Sequence, residues 1–99
     1  MYFLSIPGNN VEIINMLLLG ETPWVDKEVQ GYFKYNSFFA SGTNRKAIAA
    51  GIADFTSCYL SEVPMVLREI IKPRVTVMSV TPPDEEGYVS LGANCDYIE

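Results

Sequence analysis

The segment Val11-Glu12-Ile13-Ile14-Asn15-Met16-Leu17-Leu18-Leu19 decides the fold class. It is a nearly continuous apolar run, rich in Val, Ile and Leu and interrupted only by Glu12 and Asn15. A half-exposed strand would alternate apolar and polar residues. An unbroken run bounded by turn residues, with Gly20 at its end, is instead the pattern of a strand covered on both faces. Such strands belong to parallel sheets with helices packed above and below.

Working outward, the remaining chain supplies both kinds of partner. Residues 31–39 hold Tyr32, Phe33, Tyr35, Phe38 and Phe39, an aromatic density that favours strand. That patch packs in a core or interface, or offers a stacking platform for a ligand base. Ser41-Gly42-Thr43-Asn44 then precedes a short helix over residues 45–50, with Gly51 just past its end. Residues 53–59 read as a strand. Ser61 opens a longer helix, in which Val63, Val66, Leu67, Ile70 and Ile71 repeat at three and four, Pro64 lies in the first turn and Lys72-Pro73 is the stop. Residues 74–80 are β-branched on both faces and read as another central parallel strand. Residues 81–87, with Pro82, Pro83, Asp84 and Gly87, form a loop, and residues 88–99 alternate weakly enough for one more strand. Upstream, Pro7-Gly8-Asn9-Asn10 is a turn cluster, and residues 1–10 are left unassigned. The predicted fold is α/β, a mostly parallel open sheet with right-handed crossover helices.

Composition narrows the function. The chain has 99 residues, 48% of them hydrophobic and only 19% charged, which excludes disorder and fits one small domain. Seven basic against twelve acidic residues leave a net charge of -5, without the basic field that nucleic-acid binding needs. A local cation or helix start can still hold a small anion. There is no histidine, which removes every Ser-His or Cys-His nucleophile pair. Cys58 and Cys95 form no CxxC or zinc spacing and read as ordinary thiols of a reducing cytoplasm. No apolar run approaches a membrane span, so neither membrane nor nucleic acid is an expected partner.

In open α/β sheets ligands bind outside the carboxyl ends of the strands. That rule selects three loops, expected to converge on one edge. The first carries Gly42, Asn44, Arg45 and Lys46 and suits phosphate or carboxylate, although a capped surface helix with two solvated cations has the same sequence. The second carries Ser61, read as a helix cap, and Glu62, a carboxylate favoured by the helix start or an acid, base or nucleophile facing the cleft. The third runs Thr81-Pro82-Pro83-Asp84-Glu85-Glu86-Gly87-Tyr88-Val89-Ser90-Leu91-Gly92. There Asp84 can close a turn on its own backbone, while Gly87 and Gly92 admit conformations other residues resist. It is either a functional loop or a rigid turn.

This third loop, with Asn36-Ser37-Phe38-Phe39, Arg45-Lys46-Ala47, Gly51, Ala53-Asp54-Phe55 and Leu60-Ser61-Glu62-Val63-Pro64, resembles the acetyl-CoA hydrolase/transferase family, which includes the 4-hydroxybutyrate and butyrate:acetate CoA-transferases. The likeness runs from Val11 to Asp96 and departs from the family at Glu86, where histidine is common, at Val89, where cysteine is common, and in the order Gly42-Thr43-Asn44. It implies that residues 11–99 are part of the N-terminal domain of a class I type of CoA-transferase. Such an enzyme moves CoA between an acyl-CoA thioester and a small carboxylate by ping-pong covalent catalysis on a glutamate. No segment of this chain matches the surroundings of that glutamate, so the resemblance implies a C-terminal half that supplies it, and no catalytic residue is assigned here. No bound cofactor is implied, since the CoA thioester is a substrate. Gly42, Asn44, Arg45, Glu62, Pro82, Pro83, Asp84, Gly87, Tyr88, Ser90 and Gly92 become candidates for the wall of the substrate cleft, and the isolated chain is expected to be inactive.

Two other classes compete. A non-catalytic assembly module would use the apolar excess and an uncovered strand to form a homo-oligomer or swap elements. A generic nucleotide-binding domain would need a GxGxxG or P-loop, and neither occurs.

Overall fold

The computed structural model describes residues 11–92 together with the backbone of residues 2–5. Five strands form one sheet: β1 (Tyr2–Ser5), β2 (Val11–Asn15), β3 (Phe33–Ser37), β4 (Asp54–Phe55) and β5 (Val75–Val77), in the order β4-β3-β2-β1-β5. β2, β3 and β4 pair in parallel, with Val11 opposite Phe33, Asn15 opposite Ser37 and Ser37 opposite Phe55. β1 runs antiparallel to both β2 and β5. Four strands therefore point one way and β1 alone points the other, a mixed α/β sheet with a three-stranded parallel half.

The apolar run meets its pattern only in its first half: β2 ends at Asn15, and beyond it Leu17 and Leu19 are 51% and 86% exposed. Successive residues of a strand face opposite sides of the sheet, so Ile13 and Ile14 seed two different cores. Ile14 packs with Phe38, Val63, Val66 and Leu67, beneath the helical stretch of residues 60–71. Ile13 packs with Tyr35, Ala47 and Ala53, beneath helix α1 (Arg45–Ala49) and the short 3-10 turn Pro23–Val25. Burial on both faces follows from the sequence being apolar on both faces.

α1 ends as its glycine predicts. Gly51 takes φ 71°, its N–H donates to Ile48 O at 3.0 Å, and the Ile52 N–H donates to Ala47 O at 2.9 Å. These are the two bonds of a Schellman stop, and the left-handed residue between them is cheap only for glycine.

The second helix departs from expectation in two ways. Its start is capped at Tyr59: the Tyr59 N–H donates to Glu62 Oε2 at 2.9 Å while the Glu62 N–H donates to Tyr59 O at 2.9 Å. Ser61 lies inside the 3-10 turn Leu60–Glu62 instead of capping it. The stretch then passes through Val63–Met65 and widens into a π-helical turn over Val66–Ile71. Widening rotates later residues out of the three-and-four register. Ile70, assigned by that register to the buried stripe, is consequently 69% exposed.

Three strand assignments are corrected. β4 spans two residues instead of seven, because its ladder reaches only to the end of β3: the Thr56 N–H still donates to Ser37 O at 3.0 Å, and beyond that β3 has turned away. Of the 74–80 run only Val75–Val77 is strand, and it lies at the edge of the sheet and not in its centre, with Val75 42% and Val77 47% exposed. Its inner position is taken by β1, which the sequence reading left unassigned within residues 1–10. Tyr88 to Gly92 is not strand. The rest of that expected strand, residues 93–99 with Cys95, lies outside the described residues. Among the described residues, no helix is long and apolar enough to cross a membrane.

Candidate functional site

The last paired residues of β2 and β3, Asn15 and Ser37, are polar and fully buried at the carboxyl edge of the sheet. They anchor a hydrogen-bond network that shapes the loop after β3. The Tyr35 hydroxyl donates to Asn15 Oδ1 at 2.9 Å and accepts from Asn44 Nδ2 at 3.2 Å. Asn44 Nδ2 also reaches Ser37 Oγ and Phe39 O, each at 3.0 Å, and Asn44 Oδ1 accepts the Ser41 N–H at 2.8 Å. The network closes at the surface, where Ser41 Oγ and Thr43 Oγ1 lie 2.8 Å apart and Thr43 donates to Leu18 O at 3.2 Å. Buried polar groups persist where their bonds are satisfied, and Asn15 Nδ2 is the exception here, a buried donor without a partner.

Asn44 is thus 0% exposed and holds the loop from behind instead of standing in its surface. Gly42 is exposed, and a Cβ there would meet nothing within 4 Å, so close backbone approach is not what this conformation demands of it. Arg45 is exposed and turns a guanidinium N–H to Ala40 O at 3.3 Å.

Beside this loop lies an open depression of about 500 Å³, lined by Leu19, Gly20, Glu21, Thr22, Pro23, Asp26 and Thr43. Apart from Thr43, this wall lies outside the three loops that the sequence selected. In that segment, which follows β2, Trp24 packs edge-on against Tyr35, with ring centroids 5.7 Å apart. The signal for the rest was present: the segment leaves the carboxyl end of a parallel strand, where the same rule that selected the other loops applies.

The second loop places Glu62 at the helix start with its carboxylate on the Tyr59 N–H. Close by, Cys58 packs against the Ile14 core. Burial pushes its thiol above the ordinary value, and the Glu62 carboxylate adds to the rise by opposing a thiolate.

The third loop is held by its own side chains. Asp84 Oδ1 accepts the N–H groups of Glu86 and Tyr88 at 3.0 and 2.8 Å, and the Asp84 N–H donates to Tyr88 O at 2.9 Å. Thr81 and Ser90 clamp the base: the Thr81 N–H donates to Ser90 O and the Ser90 N–H to Thr81 Oγ1, both at 2.9 Å. Gly87 at φ 87° and Gly92 at φ 76° occupy left-handed backbone, the reason glycine suits both positions. Pro82 and Pro83 are exposed, and Tyr88 is 71% exposed.

β5 points the same way as β2, β3 and β4, so this loop leaves the same edge as the others. Two strands separate β5 from β3, which sets those two strands about 14 Å apart at ordinary strand spacing. Among the described residues the hydrogen bonds of the third loop are all internal. Nor do the described residues hold a cluster of three side chains able to take a metal ion.

The carboxyl edge of the α/β sheet thus carries a polar loop, a depression and a self-caged turn, at the end where open α/β sheets place their ligands. Comparison with known proteins identifies the family. Residues 8–99 match the acetyl-CoA hydrolase/transferase N-terminal domain, and the chain belongs to that family. It is 35% identical over 90 residues to a 4-hydroxybutyrate coenzyme A transferase of Clostridium kluyveri, covering 90% of this chain and 21% of that protein. A succinyl-CoA:acetate/propanoyl-CoA:succinate CoA transferase of Fasciola hepatica is 39% identical over 96 residues, 96% of this chain and 20% of its own length. A succinyl-CoA:cyclohexane-1-carboxylate CoA transferase of Geobacter metallireducens is 36% identical over 66 residues, 67% of this chain and 15% of its own. The chain spans about a fifth of the length of the first two relatives.

Proposed function

We propose that these residues form one wall of the substrate cleft of an acyl-CoA:carboxylate CoA-transferase, on a domain of the class I type, with the nucleophilic glutamate supplied by polypeptide outside this chain. The reaction would exchange CoA between a thioester and a small carboxylate. The glutamate carboxylate attacks the acyl-CoA carbonyl and expels CoA thiolate, leaving an acyl-glutamyl anhydride. The thiolate then attacks the glutamyl carbonyl and releases the first carboxylate. The resulting glutamyl-CoA thioester repeats both steps in reverse with the acceptor. This chain would contribute Gly42, Arg45, Pro82, Pro83, Gly87 and Tyr88 to the cleft surface, with Asn44, Asp84 and Ser90 holding that surface in shape and Glu62 closing the start of the adjoining helix.

The observation that carries the reading is the loop of residues 81–92. It is the stretch most specific to the family resemblance, and its acceptors Asp84 Oδ1 and Thr81 Oγ1 hold its own backbone N–H groups, giving an exposed loop with a fixed shape. A preformed loop at the carboxyl edge loses little entropy when it meets a ligand. The test is incubation of the chain with butyryl-CoA and labelled acetate, with mass spectrometry for labelled acetyl-CoA. None is expected from the chain by itself, while the same assay on a longer form carrying the C-terminal half should yield it. Labelled product from the 99 residues would place the nucleophile within them and make Glu62 the first residue to replace.

A second reading, a non-catalytic module that forms homo-oligomers, is favoured by one observation: Val75, Val77, Met78 and Val80 are exposed along the edge strand and just beyond it. Sedimentation showing a concentration-dependent dimer without affinity for CoA would select it over the first.

A further inference from the structure

The junction between the second helix and β5 holds three local conflicts, and all three point to one alternative conformation. Lys72 has φ 51° and ψ 60°, and among the described residues no other non-glycine residue has positive φ. Left-handed backbone crowds its Cβ against the following carbonyl oxygen. Lys72 also precedes Pro73, and a proline ring drives the residue before it toward extended backbone. The Lys72 N–H donates to Leu67 O at 2.8 Å, five residues back, and this bond closes the π turn over Val66–Ile71. That wide turn carries the third conflict. Val63, Val66 and Leu67 are buried, while Ile70, which an α register would lay over Val66 and Leu67, is 69% exposed.

One shift relieves all three. If the Lys72 N–H took Arg68 O, four residues back, the turn would be α, Lys72 could extend before its proline, and Ile70 would come over the Ile14 core. The strand opposes that shift. β5 begins just after Pro73, and its pairing with β1, Val75 opposite Leu4 and Val77 opposite Tyr2, fixes where the chain must arrive.

From this we infer that residues 66–77 form a two-state hinge. With β5 seated on β1 the turn is π, Lys72 is left-handed and Ile70 stands in solvent; with β5 slipped or released the turn is α and Ile70 is buried. Two packings of one segment that trade comparable costs are the means by which packed proteins switch. The exposed loop of residues 81–92 follows β5 along the chain, so the hinge sets its position on the carboxyl edge. The inference needs no assumption about the reaction, and under the CoA-transferase reading it makes that loop the moving wall of the cleft.

The experiment is NMR on the isotope-labelled 99-residue chain. Coupling across the hydrogen bond should join the Lys72 amide nitrogen to the Leu67 carbonyl carbon in the ground state. Relaxation dispersion should show Ile70, Ile71, Lys72, Val75 and Val77 exchanging at one shared rate, on the microsecond-to-millisecond scale of a helix register shift. Lys72→Gly, which removes the cost of left-handed backbone, should lower the minor population by about tenfold. Ile70→Asn should leave the urea midpoint in place, since the side chain already stands in solvent, yet quench the exchange by removing the burial that rewards the α form. Both changes fall at exposed positions, which the fold tolerates. Coupling to the Arg68 carbonyl instead, exchange that is absent or leaves Val75 and Val77 silent, or exchange undiminished in either variant would each overturn the inference.

Discussion

Replacing Asn44 by alanine tests whether the buried network, and not apolar packing alone, holds the carboxyl edge together. The amide shares two N–H donors among Tyr35 Oη, Ser37 Oγ and Phe39 O, and accepts the Ser41 N–H. Tyr35, Ser37 and Phe39 keep other partners after the change, since Tyr35 still donates to Asn15 and Ser37 to Phe39 O. The Ser41 N–H keeps none. Three lost bonds at roughly 1 kcal/mol each, with the desolvation of one orphaned amide at roughly 1–3 kcal/mol on top, give about 4–6 kcal/mol. That is a large share of the roughly 5–15 kcal/mol that stabilises a domain of this kind. Tyr35→Phe removes one hydroxyl and strands only Asn15 Oδ1, so it should lose about 1–2 kcal/mol. The assay is equilibrium urea unfolding of parent and variants, followed by far-ultraviolet circular dichroism at constant pH. A loss below about 1 kcal/mol for Asn44→Ala, or a larger loss for Tyr35→Phe than for Asn44→Ala, would refute the argument that this network carries the loop.

Three further outcomes are expected. Asp84→Ala should abolish protection of the Glu86 and Tyr88 amides in hydrogen exchange, while Asp84→Asn, which keeps an acceptor oxygen, should retain part of it; the core amides of Ile13 and Ile14 should not change in either. Gly51→Ala places a side chain at φ 71° with open space around it, so backbone strain alone acts and should lower stability by about 1 kcal/mol in thermal unfolding. For Cys58 the sign is set by both causes of its raised pKa, burial first and then Glu62. Its alkylation rate should rise with pH along a curve displaced above that of an unhindered thiol. Glu62→Gln, by removing the carboxylate, should move that curve toward lower pH without bringing it fully back, and an unmoved curve would remove Glu62 as a contributor.

Much of the candidate site was legible residue by residue. The Ser41–Gly51 segment announced a short helix with a glycine stop, and Asp84 announced a turn closed on its own backbone, because both depend on bonds between near neighbours in sequence. The depression was not legible in the same way. Its wall joins Leu19–Asp26 to Thr43, which meet only because β2 and β3 lie side by side, and so long a separation along the chain carries no local pattern. Asn44 shows the same limit: its sequence position named it as a surface ligand, and its four contacts, two of them to β3 side chains, turned it inward.

The sequence by itself determined the α/β class, the two-faced burial of Ile13 and Ile14, the helix stop at Gly51 and membership of the acetyl-CoA hydrolase/transferase family. Those follow from side-chain periodicity, local backbone preference and motif. Tertiary structure decided which strand occupies the middle of the sheet. The apolar pattern of residues 74–80 fits a central strand, yet β1 takes the place beside β2 and leaves β5 at the edge. Hydrophobic pattern states how much surface a strand must bury; hydrogen-bond pairing between distant segments settles which neighbour buries it.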